Sequence, residues 1–407
     1  MGFNPLAEKG IPLDRQLRNW SELNMQPYDK KAAHPYSRCR VIAMNGIEVE
    51  AAMFSHQFAR HTVDPELKRA LAMTRRIEQQ QQKAINWLTP GEESTLEVTI
   101  GYEQVAVDLT AWVAQNEPDP YCKQVYEFGL LEDFDHLYRY ANLLDMLEGK
   151  KAEEIVGRLT EITPGRLTLL EHRHPFDDVR NSLDRKTANP LSLLNALTVM
   201  AAEQQTMNFY MTIGNRPTEP LARGLYLEIA QIEEQHVTQY ESLMDAGASW
   251  AEMLVLHEYN ECYLYYSFMQ QEPDPRLKQL WELHLSMEIE HLRIASDLMR
   301  KLDKKEPEAM LPKELPEALT FQSNKDYVRA VLGGQYSLTA KGPDFVPMDT
   351  LPKDYRYFAY REAVNGNQPP PSERVINEHR DKTGIDYRME TEGPHPIADL
   401  RQAKAAE

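Results

Sequence analysis

The sequence predicts an all-α protein built from four helical hairpins that repeat an older, shorter unit. Two observations carry this expectation: a gapless internal match, and carboxylates and prolines that recur on fixed offsets. QNEPDPYCKQVYEFGLLEDFDHL, from Gln115, aligns with QQEPDPRLKQLWELHLSMEIEHL, from Gln270, at an offset of 155 residues. The same offset carries Glu48 onto Glu203, Glu78 onto Glu233 and Glu103 onto Glu258. Within each half a second period of 55 residues relates Glu48 to Glu103, Glu78 to Asp133, Glu203 to Glu258 and Glu233 to Glu288.

The helices follow in order from local signals. Pro65, Pro120, Pro220 and Pro275 are each preceded by an acid, Asp64, Asp119, Glu219 and Asp274. An acidic N-cap followed by proline at the first helical position satisfies free N–H groups and pre-sets φ, so each pair starts a helix. Segments such as LYLEIAQIEEQHVTQYESLM, from Leu225, place apolar residues at helical spacing. TLEVTI, at 95–100, is the best strand-like run, but the repeat makes it helical. Eight main helices are expected, at roughly 41–62, 65–88, 95–116, 120–148, 190–213, 220–246, 248–270 and 275–303.

The expected organisation is a 1–40 N-terminal extension, a first repeat at 41–148, a linker at 149–189, a second repeat at 190–303 and an extended Pro/Tyr-rich tail at 304–407. The tail aromatics Tyr355, Tyr357, Phe358 and Tyr360 suggest that it packs on the helices or on a partner.

Composition narrows the function classes. The chain has 407 residues, 42% of them hydrophobic and 27% charged, which is a globular balance. A net charge of −18 disfavours nucleic-acid binding, because neutralising phosphates needs clustered Lys and Arg. No apolar leader or run of 18 apolar residues occurs, so a cytoplasmic protein without a membrane span is expected. The three cysteines, Cys39, Cys122 and Cys262, include no C-x-x-C pair, which argues against a zinc ribbon or rubredoxin module. Phosphate-loop, hydrolase-elbow and dinucleotide motifs are absent.

The chemistry sits in the recurring carboxylates. Glu233-x-x-His236 and Glu288-x-x-His291 each put a carboxylate and an imidazole on one helix face, while Glu203 and Glu258 add a lone carboxylate from the preceding helix. Two lone Glu and two E-x-x-H pairs form the ligand set of dimetal carboxylate bundles: hard carboxylates bridge and neutralise two cations, and imidazole adds affinity for iron or manganese. QIEEQH and MEIEH, each preceded by a Glu-bearing helix, resemble the ferritin-like superfamily and especially its rubrerythrin-like members, over residues 41–303. The resemblance implies two ferritin-like four-helix bundles holding two iron ions, with manganese or a mixed Mn/Fe pair as alternatives. It also implies oxidase- or peroxidase-type chemistry on dioxygen or peroxide, fed by an external electron donor. Tyr210 and Tyr265 resemble tyrosines that lie beside the metals in such proteins, and are expected to donate hydrogen bonds or electrons.

The first half departs from the pattern. It offers Glu48, Glu78, Glu103, Asp133 and His136, but Gln81 stands where a histidine would be, and Ser55 and Thr110 replace the tyrosines. These residues are candidates for a second or mixed site. If hairpins pair in order, Glu203, Glu233, His236, Glu258, Glu288 and His291 make one complete centre. If the middle hairpins pair across the linker, Glu103, Asp133 and His136 join Glu203, Glu233 and His236, and the outer hairpins form a mixed site. The complete set in the second half favours the first arrangement, and the short Asp245–Ala248 turn favours the second. The expectation adopted is in-order pairing. His172 and His174 in EHRHP are expected to be solvated loop residues. Competing functions are ferrous-iron oxidation or storage, an organic-substrate oxygenase, and a non-enzymatic scaffold; a homo-oligomer is compatible with each.

Overall fold

The computed structural model describes residues 2–166, 170–384 and 393–401. It is all-α apart from one short hairpin of strands, with thirteen α-helices among the described residues. In chain order they are α1 (Trp20–Leu23), α2 (Pro35–Arg60), α3 (Pro65–Asn86), α4 (Thr95–Asn116), α5 (Pro120–Glu148), α6 (Ala152–Ile155), α7 (Pro190–Ile213), α8 (Pro220–Glu241), α9 (Trp250–Gln271), α10 (Pro275–Asp303), α11 (Lys325–Gln335), α12 (Arg356–Asn365) and α13 (Pro371–Thr383). Strands β1 (Leu338–Lys341) and β2 (Asp344–Pro347) pair antiparallel.

The acid–proline starts behave as their chemistry requires. Asp64, Asp119 and Asp274 each accept hydrogen bonds from two backbone N–H groups of the first turn, and Glu219 accepts one from Leu221. Each such cap contributes on the order of 1 kcal/mol. Two of the other four hairpin helices start with capping boxes: Ser94 and Ser249 bond reciprocally with Glu97 and Glu252, which fixes α4 and α9. The TLEVTI run is therefore the first turns of α4.

The chain divides into two compact units that alternate along the sequence. The first comprises Met1–Glu93, Ser182–Ala202 and Met244–Phe321; the second comprises Ser94–Asn181, Glu203–Leu243 and Gln322–Glu407. These units do not follow the expected repeats 41–148 and 190–303: each takes its hairpins from both halves of the chain. In the first unit α2 pairs with α3, α9 with α10, and α2 also packs on α9. In the second, α4 pairs with α5, and α5 packs on α8.

Segments expected to be peripheral are built into the units. The 149–189 segment buries Arg166, Glu171 and Arg173 in the second unit, so it is more than a linker; 167–169 lie outside the described residues. The tail beyond 304 is folded where described. Its α11 and α13 pack on α5, α13 also packs on α8, and Val328, Leu332 and Val375 join the same apolar core as Leu137, Tyr140 and Leu225. Residues 385–392 and 402–407, which the extended-tail expectation also covers, lie outside the described residues. In the N-terminal segment Gln16 is buried, and α2 begins at Pro35, six residues before the expected start.

Candidate metal centres

In the second unit, Glu103 on α4, Asp133 and His136 on α5, Glu203 on α7, and Glu233 and His236 on α8 are all at most 1% exposed. Two ligand groups form there. Asp133, Glu203, Glu233 and His236 offer atoms within 4.8 Å of one another, and so do Glu103, His136 and Glu233. Glu233 belongs to both groups, so one carboxylate stands between two adjacent donor clusters. Its Oε1 lies 3.1 Å from His136 Nδ1 and its Oε2 3.3 Å from His236 Nδ1. His236 Nδ1 is also 3.2 Å from Asp133 Oδ1 and 3.6 Å from Glu203 Oε2, yet it aligns with none of them as a hydrogen bond. A ring nitrogen facing the gap between three carboxylates is placed as a metal ligand is placed.

The outer nitrogens of both rings face further acids. His236 Nε2 is 2.9 Å from Glu132 Oε2, and His136 Nε2 is 3.4 Å from Glu171 Oε2. Glu132 is gripped by Arg166, at 2.9 Å, and by both terminal nitrogens of Arg173. Burial opposes ionisation of Glu132, but Arg173, His236 and Arg166 hold its carboxyl far below the ordinary range. An ionised partner on Nε2 orients the ring and leaves Nδ1 as the free lone pair for a cation. Tyr210 donates its hydroxyl hydrogen to Glu103 Oε1, and burial raises its own pKa well above 10, so the phenol keeps its proton.

The first unit also gathers two overlapping ligand groups, with changed donors and a different shared carboxylate. Glu48 on α2, Glu78 and Gln81 on α3, Glu258 and Glu261 on α9, and Glu288 and His291 on α10 are at most 3% exposed. Glu78, Glu258 and His291 form one ligand group, and Glu258, Glu261 and Glu288 a second, with Glu258 common to both. His291 Nδ1 is 2.9 Å from Glu288 Oε2, and its Nε2 is 2.8 Å from Gln16 Oε1 in the N-terminal segment. Tyr265 donates to Glu48 Oε1 and lies 3.2 Å from His284 Nδ1. Gln81 donates its amide N–H to Glu288 Oε1, while its carbonyl oxygen has no hydrogen-bond partner.

The six residues of the expected complete centre are thus divided. Glu203, Glu233 and His236 lie with Glu103, Asp133 and His136 in the second unit, and Glu258, Glu288 and His291 lie with Glu48, Glu78 and Gln81 in the first. The in-order pairing is corrected to pairing between halves. Physically, the 149–189 segment supplies the length a crossover needs, and its Arg166, Glu171 and Arg173 anchor it beside Glu132 and His136.

The donor set fits a pair of divalent cations. Buried oxygens without a hydrogen-bond partner include Glu103 Oε2, both of Asp133 and Glu203 Oε2 in the second unit, and Glu48 Oε2, Glu78 Oε2, Glu258 Oε2 and both of Glu261 in the first. An isolated buried carboxylate costs several kcal/mol, which either protonation or a cation relieves. Burial accordingly pushes Glu48, Glu103, Glu203, Glu258 and Glu261 well above 4.5, and Glu78 up to about 7.

Glu132, Glu171, Gln16 and Glu261 were not among the sequence candidates. The repeat could not point to them, because Glu132 aligns with Met287 and Glu261 with Ala106 at the 155-residue offset. In EHRHP the residues that face the centre are Glu171 and Arg173. His172 is instead buried against Glu228, at 3.0 Å, which corrects its reading as a solvated residue, and His174 caps a turn at Phe176. Comparison with protein-family models, with curated proteins and with solved structures finds no match for this chain.

Proposed function

We propose that this protein is a non-haem di-iron, or Mn/Fe, carboxylate protein acting on dioxygen or peroxide. On this reading each unit holds a ferritin-like bundle: α2, α3, α9 and α10 in the first, and α4, α5, α8 and the Glu203–Ile213 part of α7 in the second. The observation that carries it is the pair of overlapping ligand groups in each unit that share one carboxylate, Glu233 or Glu258. Lone Glu plus E-x-x-H donors on four helices are how dimetal bundles hold their ions.

Glu103, Asp133, Glu203, Glu233, His136 and His236 would hold one pair of ions, and Glu48, Glu78, Glu258, Glu261, Glu288 and His291 the other. A bound iron pair supplies the redox couples needed to reduce dioxygen or peroxide. The chain's own residues prepare that chemistry. Tyr210 and Tyr265 keep a proton at their hydroxyls, donated to Glu103 and Glu48, two of the carboxylates that would hold the ions. Arg166 and Arg173 keep Glu132 ionised, and Glu132 orients His236. Burial of every ligand excludes bulk water and strengthens these interactions. Among the described residues no helix is long and apolar enough to cross a membrane. A cytoplasmic setting, with electrons supplied by an external donor, belongs to the same proposal.

The test is metal content together with peroxide consumption under anaerobic ferrous loading. Retention of iron and faster peroxide loss than with Glu203→Ala/Glu258→Ala support the reading. Full metal retention without peroxide or oxygen consumption would move the function to iron binding, and no retention at all would leave a scaffold.

A further inference from the structure

The two units do not offer the same donors. In the second unit each ligand group contains an imidazole, His236 in one and His136 in the other. In the first unit only the Glu78, Glu258 and His291 group does, and the other is Glu258, Glu261 and Glu288, carboxylates alone. Gln81 occupies the position equivalent to His236, and its carbonyl oxygen is buried without a partner. Glu261 is 1% exposed, and neither of its oxygens has a hydrogen-bond partner. One of its oxygens lies within 4.8 Å of oxygens of both Glu258 and Glu288, an approach that repels unless a proton or a cation sits among them.

We propose that the Glu258, Glu261 and Glu288 position of the first unit is an all-oxygen site for a hard divalent cation, manganese, and that Glu261 is its selectivity-determining ligand. The proposal rests on the dimetal reading above. Carboxylate and amide oxygens suit manganese, whereas imidazole raises the relative affinity for iron. Every divalent first-row ion gains from added nitrogen donors along the affinity series, and iron gains more than manganese. Loss of the histidine at 81 and gain of a carboxylate at 261 therefore act in the same direction. The other three positions each keep one imidazole and remain iron positions, so the protein is expected to hold both metals at once.

The experiment strips the full chain with chelator and reloads it anaerobically with ferrous ion and manganous ion in roughly hundredfold excess, which offsets the general preference for iron and lets the least iron-selective position take manganese. Bound metals are then counted by mass spectrometry, and manganese is followed by electron paramagnetic resonance. Wild type is expected to retain about one manganese per chain beside about three irons. Glu261→Gln, close in shape to the native side chain, should lose that manganese and keep the iron. Gln81→His should replace the manganese with iron, lowering the Mn:Fe ratio at least about tenfold. Thermal melts establish that both variants remain folded. The proposal is overturned if iron fills all positions of wild type, or if Glu261→Gln retains manganese unchanged, in which case Glu261 and Glu288 share a proton. Retention of neither metal by wild type would bring down the dimetal reading itself, an outcome distinct from the other two.

Discussion

At the scale of single residues, the clustered acids and imidazoles were legible because they recur, and the residues that brace them were not because they do not. Glu203, Glu233, His236, Glu258, Glu288 and His291 announce themselves through spacing and residue type, and all six are buried in ligand groups or beside them. Glu132, Glu171 and Gln16 belong to no repeat, and each reaches a histidine from a direction that linear spacing does not encode. Two predictions follow at this scale. Glu132→Ala leaves Arg166 as a buried charge without its acid and Arg173 with Asp178 alone, so unfolding by urea should show a loss of about 3–5 kcal/mol. Gln16→Ala removes the partner of His291 Nε2 from a surface segment. Chelator competition should then show metal in the first unit bound about 10- to 100-fold more weakly, with the second unit unchanged.

At the scale of elements, helix starts were fixed by local chemistry and helix partners were not. The acid–proline pairs place α3, α5, α8 and α10 at the residues expected, because a cap and a preset φ act within one turn. Which hairpin packs on which depends on chain length between them and on burial, and a ligand set that looks complete in one half misdirects the choice. The tail shows the same limit. Its short helices have no repeat to mark them, yet Leu332 is fully buried in the second unit's core. Leu332→Ala should therefore destabilise by about 2–5 kcal/mol, as a core truncation does and a loosely attached tail would not. A chemical melt that resolves the second unit, for example by hydrogen exchange on α5, measures it.

At the scale of the whole molecule, the buried acids and imidazoles set a pH dependence. Burial above all holds Glu48, Glu103, Glu203, Glu258 and Glu261 well above 4.5. For His136 and His236 burial works the other way, but the carboxylates packed around each ring favour its protonated form and raise both well above 6.5; His291 is raised in the same sense, chiefly by Glu288. With raised pKa values in the folded state, the metal-free protein binds more protons than its unfolded chain, so its stability falls as pH rises above 4.5. Glu132 and Glu233 are lowered instead, and their contribution is lost only below 4.5, outside that window. The melting temperature of the stripped protein should drop from about pH 5 to about pH 8, while the gain from added metal grows, because cations replace those protons.

The central claim is that each unit builds one dimetal centre from both halves of the chain. Total divalent metal per chain, counted in wild type, Glu203→Ala, Glu258→Ala and the double variant, tests it most directly. The account predicts about four ions in wild type, about two lost in each single variant, and almost none left in the double. If Glu203→Ala and Glu258→Ala each remove the same two ions and the double removes no more, both residues serve one centre, and the assignment to separate units is wrong.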